Sequence, residues 1–363
     1  MKIVSPFLKR VLYPSLSAAG AFHRIGARGL AVVTYHGVLP KGYESVDPSL
    51  DGNLVAAEAL RRQLQLLKAH YDVIAPEDLL AWREDRGQLP ARAVLLTCDD
   101  GLLNCLTDML PVLQQERLRC LFFVTGASTT EIRNTLWYED LMRLFLRAPA
   151  GSFEISGGGF PSSGELRERE QRLTVWWNYV KQLSRVESET RRSFLSVART
   201  QLGSSSWQPF DGEDSLSCRR FGLLTRTELC QLAAAGMTIG AHTLSHPVLS
   251  QAPPDLARTE ISESRAQLEA VLQRQVWAFA YPFGDPQSVT PQVLAMAQEA
   301  GYAAAFLNFG GGLGADVPPY ALPRLHVTAD MGLAEFEAQV SGFHAWLQRR
   351  AGRDALPVGT VQV

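Results

Sequence analysis

The sequence predicts an α/β fold built on a parallel sheet. Short apolar strand-like runs recur along the chain, helical stretches separate them, and polar residues able to do chemistry fall just after the strand ends. The length of 363 residues suits two domains, or one large barrel carrying an insertion.

Residues 30–35 form the first β-prone run and end in His36-Gly37. Residues 55–71 repeat Leu60, Leu64 and Leu67 at helical spacing. Val73-Ile74 is a short strand, and Pro76-Glu77-Asp78 opens a helix, because proline suits the first turn. Residues 93–98 (AVLLTC) read as a buried strand followed at once by Asp99-Asp100-Gly101. Residues 104–115 read as a helix and 120–125 as a strand.

From 129 to 221 the rhythm breaks. This block is richer in charge and aromatics, with Gly157–Gly159 as a turn, helical stretches at 136–147 and 165–202, and a loop at 203–217. It reads as a mainly helical insertion, with Trp176-Trp177 in its core. Alternation then resumes: helices near 226–235, 255–273, 290–300 and 333–349, and strands near 237–241, 276–280, 303–306 and 324–327. The expected organisation is an N-terminal segment (1–29), a domain formed by 30–128 and 222–350, the insertion (129–221) and a tail (351–363).

Thirty-five basic residues face 37 acidic ones, giving a net charge of −2, and 46% of residues are apolar. That balance excludes a disordered chain and gives no basic footprint for nucleic acid. The five cysteines are odd in number and lack C-x-x-C spacing, so a reducing, cytoplasmic setting fits better than a disulfide framework. No run of about 18 apolar residues marks a spanning helix. The first 43 residues carry Lys2, Lys9, Arg10, Arg24, Arg28 and Lys41 and no acid. This pattern points to a basic amphipathic segment, residues 1–28, in peripheral contact with the inner face of an anionic membrane. Its rivals are a helix packed outside the fold and an interrupted signal peptide, which would mean export.

The polar residues after the strands are His36, Asp99-Asp100, His242 and the turn Tyr281-Pro282-Phe283-Gly284, with His326 near the last strand's end. In a parallel sheet that end gathers active sites. His242 and His246, four apart, can share one metal if their segment forms a helical turn, and a carboxylate is the usual third ligand. Asp99-Asp100 offers one ligand and one spare carboxylate to act as general base on a metal-bound water. Surface histidines and a turn-forming Asp-Asp-Gly are the bland alternatives. Nothing around Gly310–Gly312 and Gly314 follows a nucleotide-binding glycine pattern.

In this order the motifs resemble a known family. Leu96-Thr97-Cys98-Asp99-Asp100-Gly101, Gly240-Ala241-His242-Thr243-Leu244-Ser245-His246-Pro247 and Ala280-Tyr281-Pro282-Phe283-Gly284 resemble three motifs of the polysaccharide deacetylases (NodB-homology proteins, carbohydrate esterase family 4). Thr34-Tyr35-His36-Gly37-Val38 resembles the opening strand of a subgroup in exopolysaccharide and lipid-linked sugar pathways. The resemblance implies a deformed (β/α) barrel of about seven strands, a divalent metal (usually zinc), and removal of an N-acetyl group from a sugar. By position, Asp99 would be the general base and Asp100, His242 and His246 the metal ligands. The Asn104 backbone N–H would help hold the oxyanion, and Tyr281 and Pro282 would line the groove. Phe279 and Ala280 stand where the family often has an arginine. The general acid falls to His36 or His326, with His36 favoured because it lies just past its strand. An acidic-tryptophan motif has no counterpart near Phe306-Leu307-Asn308.

The substrate class implied is an N-acetylated saccharide or lipid-linked glycan. The alternatives are removal of another acyl group, such as formyl, and a non-catalytic glycan-binding barrel in a synthesis complex.

Overall fold

The computed structural model describes residues 5–22, 29–45, 47–156, 160, 162–202, 210, 212, 215–310 and 318–350. The Gly157–Gly159 turn, most of the 203–217 loop, the Gly311–Gly314 loop, residues 23–28 and the 351–363 tail lie outside them.

A π-helical turn (Leu8–Leu12) and helix α1 (Tyr13–Ala18) precede strand β1 (Ala31–Tyr35). Then come α2 (Pro48–Asp51), α3 (Ala57–His70), β2 (Asp72–Ile74), α4 (Pro76–Arg83), β3 (Ala93–Cys98), α5 (Leu110–Glu116) and β4 (Leu121–Val124). The next block holds α6 (Trp137–Arg147), the hairpin β5 (Gly151–Ile155) and β6 (Ser162–Leu166), α7 (Arg169–Leu183), α8 (Ser188–Leu202) and α9 (Leu216–Phe221). The chain continues through α10 (Arg226–Ala234), β7 (Thr238–Ala241), α11 (Pro254–Leu272), β8 (Ala278–Ala280), α12 (Pro291–Glu299), β9 (Ala304–Gly310), β10 (Leu322–His326), α13 (Leu333–Val340) and α14 (Phe343–Arg350).

Seven parallel strands close into a barrel in the order β1-β10-β9-β8-β7-β4-β3, and β3 pairs back onto β1. β2 pairs with the first half of β3 while β4 pairs with the second half, so β2 is an eighth strand outside the closed ring. The expected (β/α) barrel is therefore the observed fold.

Side-chain parity decides which residues reach the barrel interior. Val32, Ala93, Leu95, Leu121, Phe123, Ala278, Ala280, Ala304, Phe306 and Leu322 form one apolar cluster, the barrel's inner packing. Their neighbours Val33, Val94, Leu96, Phe122, Phe279, Ala305 and Leu325 belong to the larger cluster under the helices. Gly240 shares the inward parity. A Cβ there would lie 2.6 Å from the Phe123 ring, so glycine leaves that ring room.

Three sequence expectations change. Residues 165–202 are not one helix: β6 pairs with β5, then α7 and α8 follow. The strand Ser162-Ser163-Gly164-Glu165-Leu166 is mostly polar, and Leu166 and Ile155 alone bury fully, so it left little periodic signal. The last helix is broken into α13 and α14 near Gly342, which takes φ +76°. Residues 216 and 217, read as the end of a loop, open α9, which the Ser215 hydroxyl caps.

Residues of the 129–221 block have a core of their own, around Leu141, Phe145, Tyr179, Phe194 and Ala198. The N-terminal segment packs through Tyr13 and Phe22 against Ala338 of α13, and Lys9 pairs with Asp330 and Glu335. No described helix is long and apolar enough to cross a membrane.

Candidate active site

Parity carries chemistry to the mouth of the barrel. Beyond the inward residues Thr34, Thr97, Gly240 and Arg324 come His36, Asp99, His242 and His326, each two positions further on. His36, Asp99, Asp100, His242 and His246 all line one cavity there, together with Leu102, Tyr138, Glu139, Trp176, Trp177, Phe283 and Asn308.

Asp100, His242 and His246 converge, with one ligand atom from each inside a 4.8 Å span. The Nε2 atoms of His242 and His246 lie 3.6 and 3.3 Å from one oxygen of Asp100. The His-x-x-x-His segment is not the helical turn that its spacing suggested. It is a bend in which Thr243 and His246 take φ +65° and +58°, and the Thr243 hydroxyl accepts the His246 N–H at 2.9 Å. Asp100 (φ +76°) and Phe283 (φ +61°) are also left-handed, so each loop around the cluster holds a backbone geometry that non-glycine residues avoid.

The donor set suits a divalent cation. The His242 Nδ1 lies 2.7 Å from the Ala280 carbonyl, which turns Nε2 toward Asp100, the outer-shell arrangement of metal-binding histidines. Burial pushes Asp100 up, but the His242 and His246 contacts together with the His36 and His246 charges outweigh it and hold the carboxyl well below its ordinary value. Burial pushes His246 down, toward the neutral form that binds metals. Two histidines and one carboxylate are the protein side of a hydrolytic metal site.

Asp99 is held differently. Both its oxygens pair with the fully buried Arg324 guanidinium, at 2.7 and 2.5 Å. Burial raises the Asp99 pKa, but the Arg324 charge and hydrogen bonds together with the His242 and His36 charges outweigh it, so the carboxylate lies below its ordinary value and stays ionised. Arg324 also donates to the Leu307 carbonyl at 2.8 Å, which fixes its fork. The arginine missing before Tyr281 is thus supplied from β10, in Leu322-Pro323-Arg324-Leu325-His326. Sequence reasoning passed over Arg324; its one signal was an arginine at an inward position of an apolar strand.

The remaining sequence candidates are placed as follows. His36 and His326 are neighbours, their ring centroids 4.6 Å apart, because Thr34 pairs with His326 across β1 and β10. His36 lines the cavity and His326 does not. Burial, then the His36 charge, push His326 down to about 3. Asn104 is fully buried and straps the His36 loop: its side-chain oxygen accepts the Val38 N–H at 3.0 Å and its amide donates to the Arg219 carbonyl. A Cβ on Gly37 would clash with that oxygen, so the strap requires glycine. Tyr281 does not line the cavity: it shares the outward parity of Phe279, packs on that ring and donates to the Tyr320 carbonyl. Pro282 is also absent from the lining, and Phe283 faces the cavity in its place. Trp176 and Trp177, read as insertion core, pack half-buried against that core and also line the cavity.

The 129–221 block also grips the ligand loop. Arg191 of α8, 2% exposed, donates to the Ser245 carbonyl and hydroxyl at 3.2 and 3.0 Å, and Glu260 takes the Ser245 N–H. Trp137 donates to the His246 carbonyl at 3.2 Å, and the Ser184 hydroxyl accepts the Val248 N–H. If the cluster takes zinc, replacing Arg191 by alanine is expected to weaken its binding by about 10–100-fold, the usual cost of losing outer-shell support. A chelator-competition titration reads this. Zinc affinity equal to wild type in a folded variant would show that the loop holds its shape unaided.

Comparison with known proteins agrees with this geometry. Residues 215–305 match the family described as polysaccharide deacetylase. That stretch includes His242, His246 and the Tyr281–Gly284 turn. YxkH of Bacillus subtilis (strain 168), assigned by name to the polysaccharide deacetylases, is 26% identical over 117 residues. The match spans 32% of this chain and 41% of that protein. Among solved structures, the Streptococcus pyogenes deacetylase PplD, in complex with acetate, superposes with a TM-score of 0.54 at 17% identity. It covers 87% of this chain and 99% of that one. IcaB from Ammonifex degensii gives 0.53 at 18% identity, covering 87% and 98%. Both likenesses show the same fold.

Proposed function

We propose that the protein is a metal-dependent carbohydrate deacylase that removes the N-acetyl group from an N-acetylated sugar of a polysaccharide or lipid-linked glycan. One observation carries this reading: an arginine-clamped carboxylate, Asp99, stands next to the Asp100–His242–His246 cluster in a single cavity. The names of the similar proteins, deacetylases of the same fold, support it.

Asp100, His242 and His246 would hold the metal, zinc being the best fit to two imidazoles and a carboxylate. When bound, such a metal acts as a Lewis acid and brings a water pKa down to about 7, so a modest base is enough. Asp99 then takes the water's proton, and Arg324 keeps Asp99 ionised and aimed. His36 faces the cavity and gives a proton to the leaving amine, while His326, neutral at ordinary pH, backs its ring.

The test is acyl release from N-acetylated oligosaccharides before and after chelation. Release that stops on chelation and returns with zinc supports the reading. Binding of glycan with no release at any metal loading would favour a non-catalytic barrel.

We also propose a cytoplasmic protein in peripheral contact with an anionic membrane through residues 1–28. The free state of all five cysteines supports the first part. Exposed Phe7 and Val11, on the helical turn beside Arg10, support the second. Because Tyr13 and Phe22 are fully buried, deleting the segment would uncover core, and point changes test it better. Phe7→Ser with Val11→Ser is expected to lower flotation with phosphatidylserine vesicles. Equal flotation of both proteins would contradict membrane contact through this face.

A further inference from the structure

Charge is divided unevenly between the cavity and the wall behind it. Three carboxylates line the space: Asp99, Asp100 and Glu139. Among the described residues, no lysine or arginine lines it. Two of the three acids have partners of their own. Asp99 is paired with Arg324, and Asp100 belongs to the proposed metal cluster. Glu139, near the start of α6, is the third.

Glu139 is held from behind. Arg220 of α9, fully buried, donates to its two oxygens at 2.9 and 3.2 Å. The same guanidinium donates to Asp51 and to the Leu50 carbonyl, each at 2.6 Å. One positive charge is thus shared by two buried carboxylates, and with both ionised the trio keeps a negative charge in excess. Burial raises the Glu139 pKa, and the Arg220 charge and hydrogen bonds oppose that rise. The neighbouring cations are engaged elsewhere. Arg143 and Arg199 lie 3.5 and 2.7 Å from Asp140, and neither lines the cavity. Arg169 reaches the Ser49 hydroxyl, but Asp47 takes its guanidinium at 2.7 and 3.0 Å.

This wall sets terms for a ligand. An anionic group entering it would lose water, gain no cationic donor and face a fixed carboxylate, and each of these is penalised. Hydroxyl and amide N–H groups meet the opposite condition. Each Glu139 oxygen keeps acceptor capacity beyond its Arg220 bond, and the Asn308 side-chain oxygen, buried in the same cavity, has no partner.

We infer that Glu139 is a specificity-determining residue: it admits uncharged N-acylated sugars and turns away sugars whose ring carries a carboxylate. The inference rests on the deacylase reading above and narrows its substrate class by charge.

The test compares N-acetylglucosaminuronic acid with its 6-amide, two probes of nearly one shape that differ by a charge. Calorimetry measures the affinity of the zinc-loaded full chain for each at pH 8, above the ordinary carboxylate range, and acyl release is assayed on the same samples. The amide is expected to bind at least about tenfold tighter than the acid. Glu139→Gln is expected to shrink that ratio to about threefold or less, whatever it does to either affinity alone. A purely structural role for Glu139 would change both affinities in proportion and leave the ratio. Equal affinities in wild type, which need no variant, would overturn the inference, as would binding of neither probe. An unchanged ratio in folded Glu139→Gln and Glu139→Ala would also overturn it, by moving the selection to another residue. Selective binding without acyl release from either probe or from N-acetylglucosamine oligomers would sink the deacylase reading and leave the charge selection standing.

Discussion

Asp99→Asn is expected to cut acyl release by about 10²–10⁴-fold, the range for removing a positioned general base, while zinc binding stays at the wild-type level. The asparagine keeps the shape of the side chain and loses only its ability to take a proton. Because the proposed ligand set is Asp100, His242 and His246, the metal has no reason to leave. Paired assays of zinc content and initial rate on the same preparation check both halves. Loss of zinc together with rate would move Asp99 into the ligand set. Full activity without the carboxylate would remove it from the chemistry.

The largest effect on stability is expected at Arg324. Its guanidinium and the Asp99 carboxylate are both buried and paired at 2.5–2.7 Å. Arg324→Ala leaves the carboxylate without its counter-charge in the barrel interior, a change that costs about 3–5 kcal/mol when a buried pair is broken. Against a typical total stability of about 5–15 kcal/mol, this is a large fraction. The double variant Asp99→Asn/Arg324→Met removes both charges and should unfold less easily in urea than Arg324→Ala.

The pH dependence follows from the sign of the Asp99 shift. Its pKa in the folded protein lies below the ordinary 3.8. The pair's contribution is thus complete above that value and is lost as pH falls through the folded-state pKa. The stability gap between wild type and Arg324→Ala should be flat from about pH 6 to 8 and close in acid. In Arg324→Ala the burial of Asp99 loses its main counterweight, so the acid limb of kcat/KM should move to higher pH. An unmoved acid limb would show that Arg324 does not set the state of the base.

Much of the site was legible because two signals were strong. Inward parity along strands fixes which residues reach the barrel mouth, and Asp99, His242 and His36 each follow an apolar run whose parity can be counted. The same count, applied strictly, sends Tyr281 outward with Phe279 and brings Arg324 inward, but strand boundaries near 278 and 322 were not sharp enough in the sequence to use it. The bend at His242–His246 was hidden because positive φ at Thr243 and His246 has no composition signal: neither residue is glycine or asparagine. The β5–β6 hairpin was missed because a polar strand of serine, glycine and glutamate buries almost nothing. Trp176 and Trp177 looked like core because their position over the cavity depends on how α7 packs against the barrel, a tertiary fact. The seven-strand barrel came from the family resemblance, whereas alternation alone gave only a parallel sheet.

The central claim is that one metal ion, held by Asp100, His242 and His246, supports the chemistry at Asp99. Zinc titration of the metal-stripped protein tests it most directly, with bound metal and acyl release read on the same samples and Asp100→Ala run alongside. Both signals in the wild type are predicted to rise together and saturate at one equivalent, and both should be lost in Asp100→Ala. Full release from the stripped protein, or an Asp100→Ala variant that binds zinc and turns over like wild type, would contradict the account.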